Sequence, residues 1–465
     1  MSAVTGVDSS TQSCKVVVCD LETGAVLRSA SAPHPEGTEV APAAWEAALR
    51  EALAAADGLG GDVVALGVGG QQHGMVTLDD AGEVVRDALL WNDTRSAGAA
   101  ADLVRELGAS AWADAVGSVP VASITLTKLR WLAEHEPDHA GRVAGVCLPH
   151  DWLTWRLGGA TGLDTLTTDR GDASGTGYWS PAEGRYRLDL LAHGFGRELV
   201  VPRVIEPSGV AGQVRDGLAL SAGTGDNMAA ALGLQARPGD VIVSLGTSGV
   251  VSAVAARPSA DATGVVTGFA DAKGHFLPLA CTLNGAPVFA TMAELLGVDL
   301  GRFSELALSA EPGAGGVVLV PYFAGERTPN LPDASAELVG LTLANSTPAN
   351  IARAAIEGVL AGLADGIDAL IANGAHLERV LLVGGGAKSE AVQRIAPTVF
   401  GVEVEVPEPA EYVALGAAWQ AAWAHRSGAD PGWPAPRGRT VNGVHEPVVR
   451  AQYSEAAARI ATRFR

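Results

Sequence analysis

Short apolar runs alternate with polar or glycine-rich turns along the chain, a pattern that predicts strands joined tightly to one another. Near the start, the strand-like residues 5–8 are followed by the polar turn 9–13 and by residues 15–20, whose central positions 16–19 are apolar, which together indicate a β-hairpin. Residues 25–31 predict a third strand. Apolar side chains at helical spacing after Pro42 then predict a helix. The chain therefore opens in the order strand, strand, strand, helix.

A second hairpin is predicted roughly 235 residues after the first, which suggests an internal duplication. Residues 241–245 and 250–254 are apolar, and the turn between them consists of glycine, serine and threonine. A chain of 465 residues also exceeds what one hydrophobic core usually serves. We therefore expect two α/β domains, residues 1–234 and 235–465, that face each other across a cleft.

The second half also contains a pattern that is typical of nucleotide-binding folds. Apolar positions at residues 351–371 predict a long helix. The apolar residues 380–383 lead into the glycine turn 384–387, and a helix is predicted from Lys388 onward. A strand, a glycine turn and a helix start can bind phosphate groups through backbone N–H donors. The aperiodic segment 427–439 predicts an ordered surface excursion.

Composition and charge narrow the classes of partner. The chain is 48% hydrophobic with 58 glycines, as expected of a globular α/β protein. Its formal charge is −20, from 52 acidic and 32 basic residues, and no run of Lys or Arg offers a surface for nucleic acid. Because this field repels ATP as well, a nucleotide site here needs backbone donors and a divalent cation.

Cysteine usage and hydropathy indicate a cytoplasmic protein. The four cysteines form no CxxC pair and are few for the length, which predicts reduced thiols. No apolar run approaches the ~20 residues that a membrane span needs. We therefore expect neither a membrane partner nor export.

The common nucleotide and zinc motifs are absent from the sequence. There is no GxxxxGK[ST], GxGxxG or HExxH segment. What remains are hairpin tips of glycine, serine and threonine, whose N–H groups can converge on phosphate oxygens. One such tip taken alone is more often just a turn.

Two aspartates stand where phosphoryl transfer would need carboxylates. Asp8 ends the first apolar strand, and Asp226 precedes Asn227 and a helix of small residues. Either could be a helix N-cap, which is the more common role of an isolated aspartate before a helix. Phosphoryl transfer needs one carboxylate to hold Mg²⁺ and one to accept the proton of the attacking hydroxyl. Asp8 and Asp226 together fit those two roles.

Seven segments resemble, in order, those of the FGGY family of carbohydrate kinases. Residues 123–135 and 336–357 follow the two signatures of that family. The resemblance covers essentially the whole chain and is strongest to family members that phosphorylate xylulose. The remaining five segments are GQQHG at 70–74, LWNDTR at 90–95, GDN at 225–227, SLGTSG at 244–249 and GERTP at 325–329.

The resemblance implies a fold and a reaction. Each half would be a ribonuclease-H-like domain of the actin, hexokinase and Hsp70 superfamily, and the two would flank a catalytic cleft that binds ATP and a sugar. Asp226 would be the general base, which contributes on the order of 10²–10⁴ in rate, and Asp8 and Asp226 would hold Mg²⁺. The implied reaction is phosphorylation of D-xylulose to D-xylulose 5-phosphate.

The resemblance also implies the binding residues. The sugar would contact amide, imidazole, indole and carboxylate groups, which suit hydroxyls: Gln72, His73, Trp91, Asp226 and Asn227. The nucleotide would contact Thr11, Lys15, Gly246, Thr247, Gly385, Gly386 and Ala387. Taken alone, His73 could equally be a structural histidine, and Lys15 a solvated strand residue.

Two positions differ from the family pattern or remain open. Ser10 stands where the family usually has glycine, so the first loop either avoids a positive φ or accepts strain of about 1 kcal/mol or more. Arg327 could brace the domain interface through an ion pair as readily as it could contact a ligand.

Other functions remain open at the level of sequence. The same mechanism would serve ribulose, another pentulose, a pentitol or glycerol, because sugar choice depends on few polar contacts. An ATP-driven switch such as actin or the chaperone ATPases would share the fold. The pairs Gln72–His73 and Asp226–Asn227 favour the kinase. A homodimer is common for such folds, and apolar positions of the long helix could form its interface.

Overall fold

The computed structural model describes residues 2–464, which form two halves, each built on a seven-stranded sheet. The strands of the first half are β1 (Ala3–Ser9), β2 (Ser13–Asp20), β3 (Val26–Pro33), β4 (Glu39–Val40), β5 (Val63–Gly70), β6 (Val76–Leu78), β7 (Ala88–Leu89), β8 (Gly145–Cys147), β9 (Thr167–Thr168), β10 (Trp179–Ser180), β11 (Arg185–Tyr186), β12 (Arg203–Val204), β13 (Val210–Arg215), β14 (Leu218–Ser221) and β15 (Thr224–Gly225). Its helices are α1 (Pro42–Ala55), α2 (Ala97–Leu107), α3 (Ala109–Val116), α4 (Thr125–His135), α5 (Pro137–Arg142), α6 (Pro149–Leu157), α7 (Arg170–Ala173), α8 (Leu188–Phe195) and α9 (Asp226–Gly233).

The second half follows without a long linker. Its strands are β16 (Asp240–Leu245), β17 (Gly249–Ala253), β18 (Thr267–Ala270), β19 (Phe276–Thr282), β20 (Val318–Val320), β21 (Glu337–Val339), β22 (Arg379–Val383), β23 (Val404–Pro407) and β24 (Gly438–Val441). Its helices are α10 (Pro287–Leu295), α11 (Leu300–Ser309), α12 (Pro348–Ala372), α13 (Glu390–Phe400), α14 (Tyr412–His425) and α15 (Pro447–Phe464). Short 3₁₀ turns occupy Leu163–Thr165, Ala314–Gly316 and Gly386–Lys388.

The two sheets repeat one topology, which confirms the predicted duplication. The first sheet has the order β13-β14-β5-β1-β2-β3, and the second has β24-β23-β22-β16-β17-β19-β18. In each, a central strand pairs antiparallel with the next strand of its hairpin and parallel with the strand on its other side. The fold is therefore the predicted two-domain α/β architecture.

The local predictions hold for most of these elements. Both predicted hairpins are present, as β1–β2 and β16–β17, and α12 contains the predicted long helix. The helix predicted from Lys388 begins two residues later, at Glu390. The reason is Ser389, whose side chain accepts a hydrogen bond from the N–H of Val392 and so caps the helix there.

Two expectations about exposed surfaces are corrected. Segment 427–439 is not only a surface excursion, because Trp433 is 9% exposed and its Nε1 donates to the carbonyl of Leu21 at 3.0 Å, in the first half. Most apolar side chains of α12 are buried in the core of the second half, against neighbours such as Val251 and Leu319, whereas Ile371 at its end is 43% exposed. The buried ones are therefore not available for a homodimer interface.

Within residues 2–464, no helix combines the length and the apolar character that crossing a bilayer requires.

The four cysteines are free thiols, three of them buried. Burial raises the pKa of the Cys14 thiol to about 12, which agrees with the expectation of an unreactive side chain.

The two halves meet where α14 lies against α9 and the inner strands of the first sheet. Glycines stand at the points of closest approach. A Cβ atom at Gly416 would overlap the carbonyl oxygen of Ala229, and one at Gly233 would overlap that of Tyr412. A Cβ atom at Gly6 would likewise overlap the carbonyl oxygen of Ala414. The backbones of the two halves are therefore in direct contact, which any larger side chain would prevent.

We predict that Gly416→Ala lowers the free energy of unfolding by about 1–3 kcal/mol, because the added methyl group forces α9 and α14 apart. Urea denaturation followed by tryptophan fluorescence measures the change. The matched control is Gly98→Ala, at an exposed position of α2 where a Cβ atom meets no atom within 4 Å. Alanine favours a helix over glycine, so the control should match or slightly exceed the wild type. Equal losses in the two variants would contradict the importance of the close approach.

Candidate active site

A cavity of about 280 Å³ opens between the two halves. It brings together six of the residues predicted from the sequence, drawn from four separate segments of the first half. These residues are Thr11, Gln72, His73, Trp91, Asp226 and Asn227.

Asp226 is the first residue of α9, and it is not a helix cap, since the N-cap position is Gly225. Its Oδ1 accepts hydrogen bonds from the backbone N–H of Asn227 at 2.8 Å and from the Asn227 amide at 3.0 Å. Burial, and then the charge of Asp8, raise the pKa of Asp226 to about 7. A carboxyl group with that pKa can take up a proton near neutral pH, as a general base must.

Asp8 is buried near the end of β1, where burial raises its pKa to about 6. The hydroxyl of Ser10 donates to the Asp8 carboxylate. Ser10 is not among the residues with a positive φ, so its presence in place of glycine causes no backbone strain. The charge of Asp8 raises the pKa of Asp226, so the two carboxylates are a suitable environment for a divalent cation, which would relieve the repulsion.

Two hydrogen-bonded side-chain amides extend from Asp226 along the cavity wall. The amide of Asn227 donates to Gln72 Oε1 at 2.8 Å as well as to Asp226. Gln72 Nε2 is buried, and no partner for it occurs among residues 2–464. Since buried polar groups are usually paired, this donor is available to a ligand hydroxyl in the cavity.

His73 presents a neutral imidazole to the cavity. Its backbone is left-handed, with φ of 65°, an uncommon conformation for a residue other than glycine. Burial, and then the nearby Lys128, lower the pKa of His73 to about 3. Nδ1 lies 2.8 Å from the carbonyl of Gly175 and must donate to it, so Nε2 is left as an acceptor.

The other three predicted residues of the first half differ in their position. Trp91 is 40% exposed, and its Nε1 donates to the Thr11 hydroxyl at 2.9 Å, which ties the first loop to the cavity wall. Lys15 Nζ lies 2.6 Å from Glu411 Oε2 in an ion pair, and Lys15 does not line the cavity. The ammonium of Lys15 has further donors beside the one to Glu411, and its contact with a phosphate stays a prediction.

A second cavity, of about 570 Å³, lies within the second half. Gly385 and Gly386 line it together with Phe289 and Ile356, whereas Ala387 is buried and does not. The turn that contains Gly246 and Thr247 lies between the two cavities. Ser248, the next residue of this turn, lines the first cavity. The carbonyl of Gly246 accepts a hydrogen bond from the N–H of Ala286 at 2.8 Å, and Ala286 lines the second cavity.

Comparison with known proteins places this geometry in a family. Residues 3–234 match the model of the N-terminal domain of the FGGY family of carbohydrate kinases, and residues 241–425 match that of its C-terminal domain. The chain belongs to the FGGY family of carbohydrate kinases. It is therefore a carbohydrate kinase, an enzyme that transfers phosphate from ATP to a sugar.

Known proteins align with this chain over nearly its whole length. A xylulose kinase of Streptomyces rubiginosus is 47% identical over 96% of this chain and 92% of its own. One of Streptomyces coelicolor is 48% identical over 90% of this chain and 87% of its own. The crystal structure of xylulose kinase from Bifidobacterium adolescentis superposes with a TM-score of 0.92 at 45% identity, covering 98% of this chain and 99% of that one.

The cavity of the kinase also contains residues that sequence reasoning left undecided or missed. Arg327 lines it, and no ion pair of Arg327 occurs in the described part of the chain, so its side chain is free to face a ligand. Phe269 and Cys281 reach the cavity from β18 and β19. Neither stands in a motif, and only the pairing of the two strands brings them to the site.

A buried charge network lies beneath the glycine turns that carry Gln72 and Asp226. His150 Nδ1 lies 2.6 Å from Asp172 Oδ2, and its Nε2 lies 3.2 Å from Asp151 Oδ1. The ring of His150 packs where a Cβ atom of Gly223 would lie. Although burial alone would lower the pKa of His150, the neighbouring carboxylates raise it to about 9. The network was not predicted, because it needs residues from separate segments.

We predict that His150→Leu lowers the free energy of unfolding by about 3–5 kcal/mol, because it leaves the carboxylates of Asp151 and Asp172 without a counter-charge. Urea denaturation at neutral pH measures the change. The matched control is His193→Gln, which breaks the partly exposed contact of His193 with Glu106 at 2.8 Å and should cost less than about 1 kcal/mol. A cost for His150→Leu as small as that of the control would show that the network is not an ion cluster.

Proposed function

We propose that the protein phosphorylates D-xylulose to D-xylulose 5-phosphate, with ATP as the donor. The observation that carries the proposal is the half-buried carboxyl of Asp226, which faces the cavity between the halves and is hydrogen-bonded to a chain of amides that suits a polyol. The xylulose kinases of Streptomyces that resemble this chain at 47–48% identity support D-xylulose as the sugar.

Asp226 acts as the general base on the terminal hydroxyl of the sugar. Its carboxylate takes the proton from O5 as that oxygen attacks the γ-phosphorus of ATP, and the bond from the γ-phosphorus to the bridging oxygen breaks, which leaves ADP. Asn227 holds the carboxylate in place through two hydrogen bonds. The position between the two halves excludes water, which would otherwise compete as the acceptor.

The remaining polar side chains orient the sugar. The free Nε2–H of Gln72 donates to one hydroxyl, and the neutral Nε2 of His73 accepts from another. The indole of Trp91 provides an apolar face beside them. Arg327 has five donors and lines the same cavity from the second half, where it can contact the sugar or the transferred phosphate.

The nucleotide lies against the second half in this proposal. Gly385 and Gly386 leave the wall of the 570 Å³ cavity bare, so that the adenosine moiety can approach the backbone. The phosphates extend toward the turn of Gly246 and Thr247, and Thr11 and Lys15 meet them from the first half. Ala387, buried behind the cavity wall, supports that wall and makes no contact of its own.

Asp8 and Asp226 would hold Mg²⁺, because their two negative charges repel each other and a cation would relieve that repulsion. When bound, the cation would neutralise the charge of the ATP phosphates, which a chain of net charge −20 otherwise repels. Hard oxygen ligands of this kind suit Mg²⁺.

We also propose a cytoplasmic location, in keeping with the four free thiols. The homodimer predicted from the sequence stays a prediction, and its interface would have to lie outside the buried face of α12.

We expect purified protein with Mg-ATP to release ADP strongly and selectively in the presence of D-xylulose. A coupled assay over D-xylulose, D-ribulose, L-ribulose, xylitol and glycerol measures this. Selective stimulation by another member of the panel would retain the mechanism and change the sugar. Stimulation by none of them would contradict the proposal and favour an ATP-driven switch.

Asp226→Asn should abolish sugar phosphorylation, by a factor on the order of 10²–10⁴ in kcat, because the amide cannot take up the proton. Binding of ATP, followed by isothermal titration calorimetry, should survive, since Asp226 does not line the cavity proposed for the adenosine moiety. Asp216→Asn, at an exposed turn of the first half, is the matched control and should leave kcat unchanged. Ordinary turnover in Asp226→Asn would remove Asp226 from the mechanism.

A further inference from the structure

Lys128, on α4, is the one lysine side chain among residues 2–464 that is completely buried, with 0% exposure. Lysine is almost never fully buried unless an opposite charge compensates it. No carboxylate oxygen of the described chain lies within 4.0 Å of its Nζ. A side chain that only filled space here would be apolar, because burying an ammonium group is costly. Burial lowers the pKa of Lys128 to about 7. Because the amino group donates hydrogen bonds in both protonation states, its burial suggests that this nitrogen atom has a function.

The partners of Lys128 Nζ are two backbone carbonyls. It donates to the carbonyl of His73 at 3.3 Å and to the carbonyl of Ser123 by a shorter hydrogen bond. These carbonyls belong to segments that are far apart in sequence, and both segments line the 280 Å³ cavity through His73, Ser123 and Ile124. One buried nitrogen atom therefore joins two walls of the sugar cavity.

The wall at His73 depends on such a tie. The backbone at His73 is left-handed, which turns its carbonyl away from the cavity. Thr125 Oγ1 also donates a hydrogen bond to this carbonyl, at 3.1 Å. The imidazole is held from the other side by the carbonyl of Gly175. The nearby positive charge of Lys128 also favours the neutral ring, in agreement with the lowered pKa of His73.

We propose that Lys128 is a positioning residue that determines sugar specificity, because its buried ammonium fixes the spacing between the His73 turn and the Ser123–Ile124 wall. This inference rests on the proposed sugar site. A site that distinguishes hydroxyl configurations needs donors and acceptors at fixed positions. When the tie is lost, the two walls separate, and both affinity for the ketose and discrimination between its epimers decrease.

The test is Lys128→Met, which keeps the length of the side chain and removes its donors. We expect the KM for the preferred ketose to rise about tenfold or more, since small misplacements of a site have large effects. The KM for ATP should stay within about twofold of the wild type, and the ratio of kcat/KM between D-xylulose and D-ribulose should move toward one. A structural role alone would lower the melting temperature without separating the two KM values.

Thr127→Val is the matched control. Thr127 is equally buried on the same helix, and its hydroxyl donates to the carbonyl of Ile124 at 2.8 Å but not to His73. It should lower the melting temperature and leave the ketose KM and the epimer ratio unchanged. Should Lys128→Met fail to fold, Thr125→Val removes the other donor to the His73 carbonyl and should raise the ketose KM in the same direction.

The outcomes distinguish the two proposals. A ketose KM and an epimer ratio equal to those of the wild type in Lys128→Met, or in Thr125→Val where that variant replaces it, would overturn the role of Lys128. An equal rise of the ketose and ATP KM values would overturn it as well. Wild-type protein without turnover on any sugar of the panel would instead overturn the proposed function, and with it the inference.

Discussion

The geometry of the kinase depends on the direct backbone contact between α9 and α14. Gly233 and Gly416 permit this contact, since a Cβ atom at either would overlap a carbonyl oxygen of the facing helix. Asp226 is the first residue of α9, so the same helix that joins the halves also holds the proposed base. Because backbone atoms rather than long side chains meet here, the distance between the halves has little freedom. The contact therefore fixes the carboxylate with respect to both cavities.

A second constraint is the charge that the site concentrates. Asp8 and Asp226 lie within reach of each other's field, and the network of His150, Asp151 and Asp172 lies behind them. A protonated His150 offsets only part of this negative charge. The raised pKa values of the aspartates are the physical result, because burial disfavours the ionised form. The excess of negative charge is consistent with the expectation that ATP would bind here through backbone N–H groups and a divalent cation, which stays a prediction.

The fold could be predicted from the sequence where neighbouring residues determine it. Apolar runs and glycine turns specify the two hairpins, and their repetition predicted the duplicated topology. The site residues that stand in motifs were found, and six of them line one cavity, although their roles stay predictions. The burial of Trp433 and the cavity position of Phe269 depend on contacts between distant segments, which no local pattern encodes. Lys128 stood in a recognised segment, yet only the structure shows which carbonyls it joins.

The duplication explains how one topology serves two kinds of recognition. β5 and β22 occupy equivalent places in the two sheets, each parallel to the first strand of its hairpin. β5 ends in a turn that continues into Gln72 and His73, so the first half presents side chains that can distinguish hydroxyl groups. β22 is followed by Gly384–Gly386, so in our proposal the second half presents backbone and open space to a nucleotide. Side chains suit the substrate that must be selected, and backbone N–H groups suit phosphates, whose recognition needs charge complementarity rather than selection. The two halves therefore present different groups because different residues follow equivalent strands, while the sheet topology is the same in both.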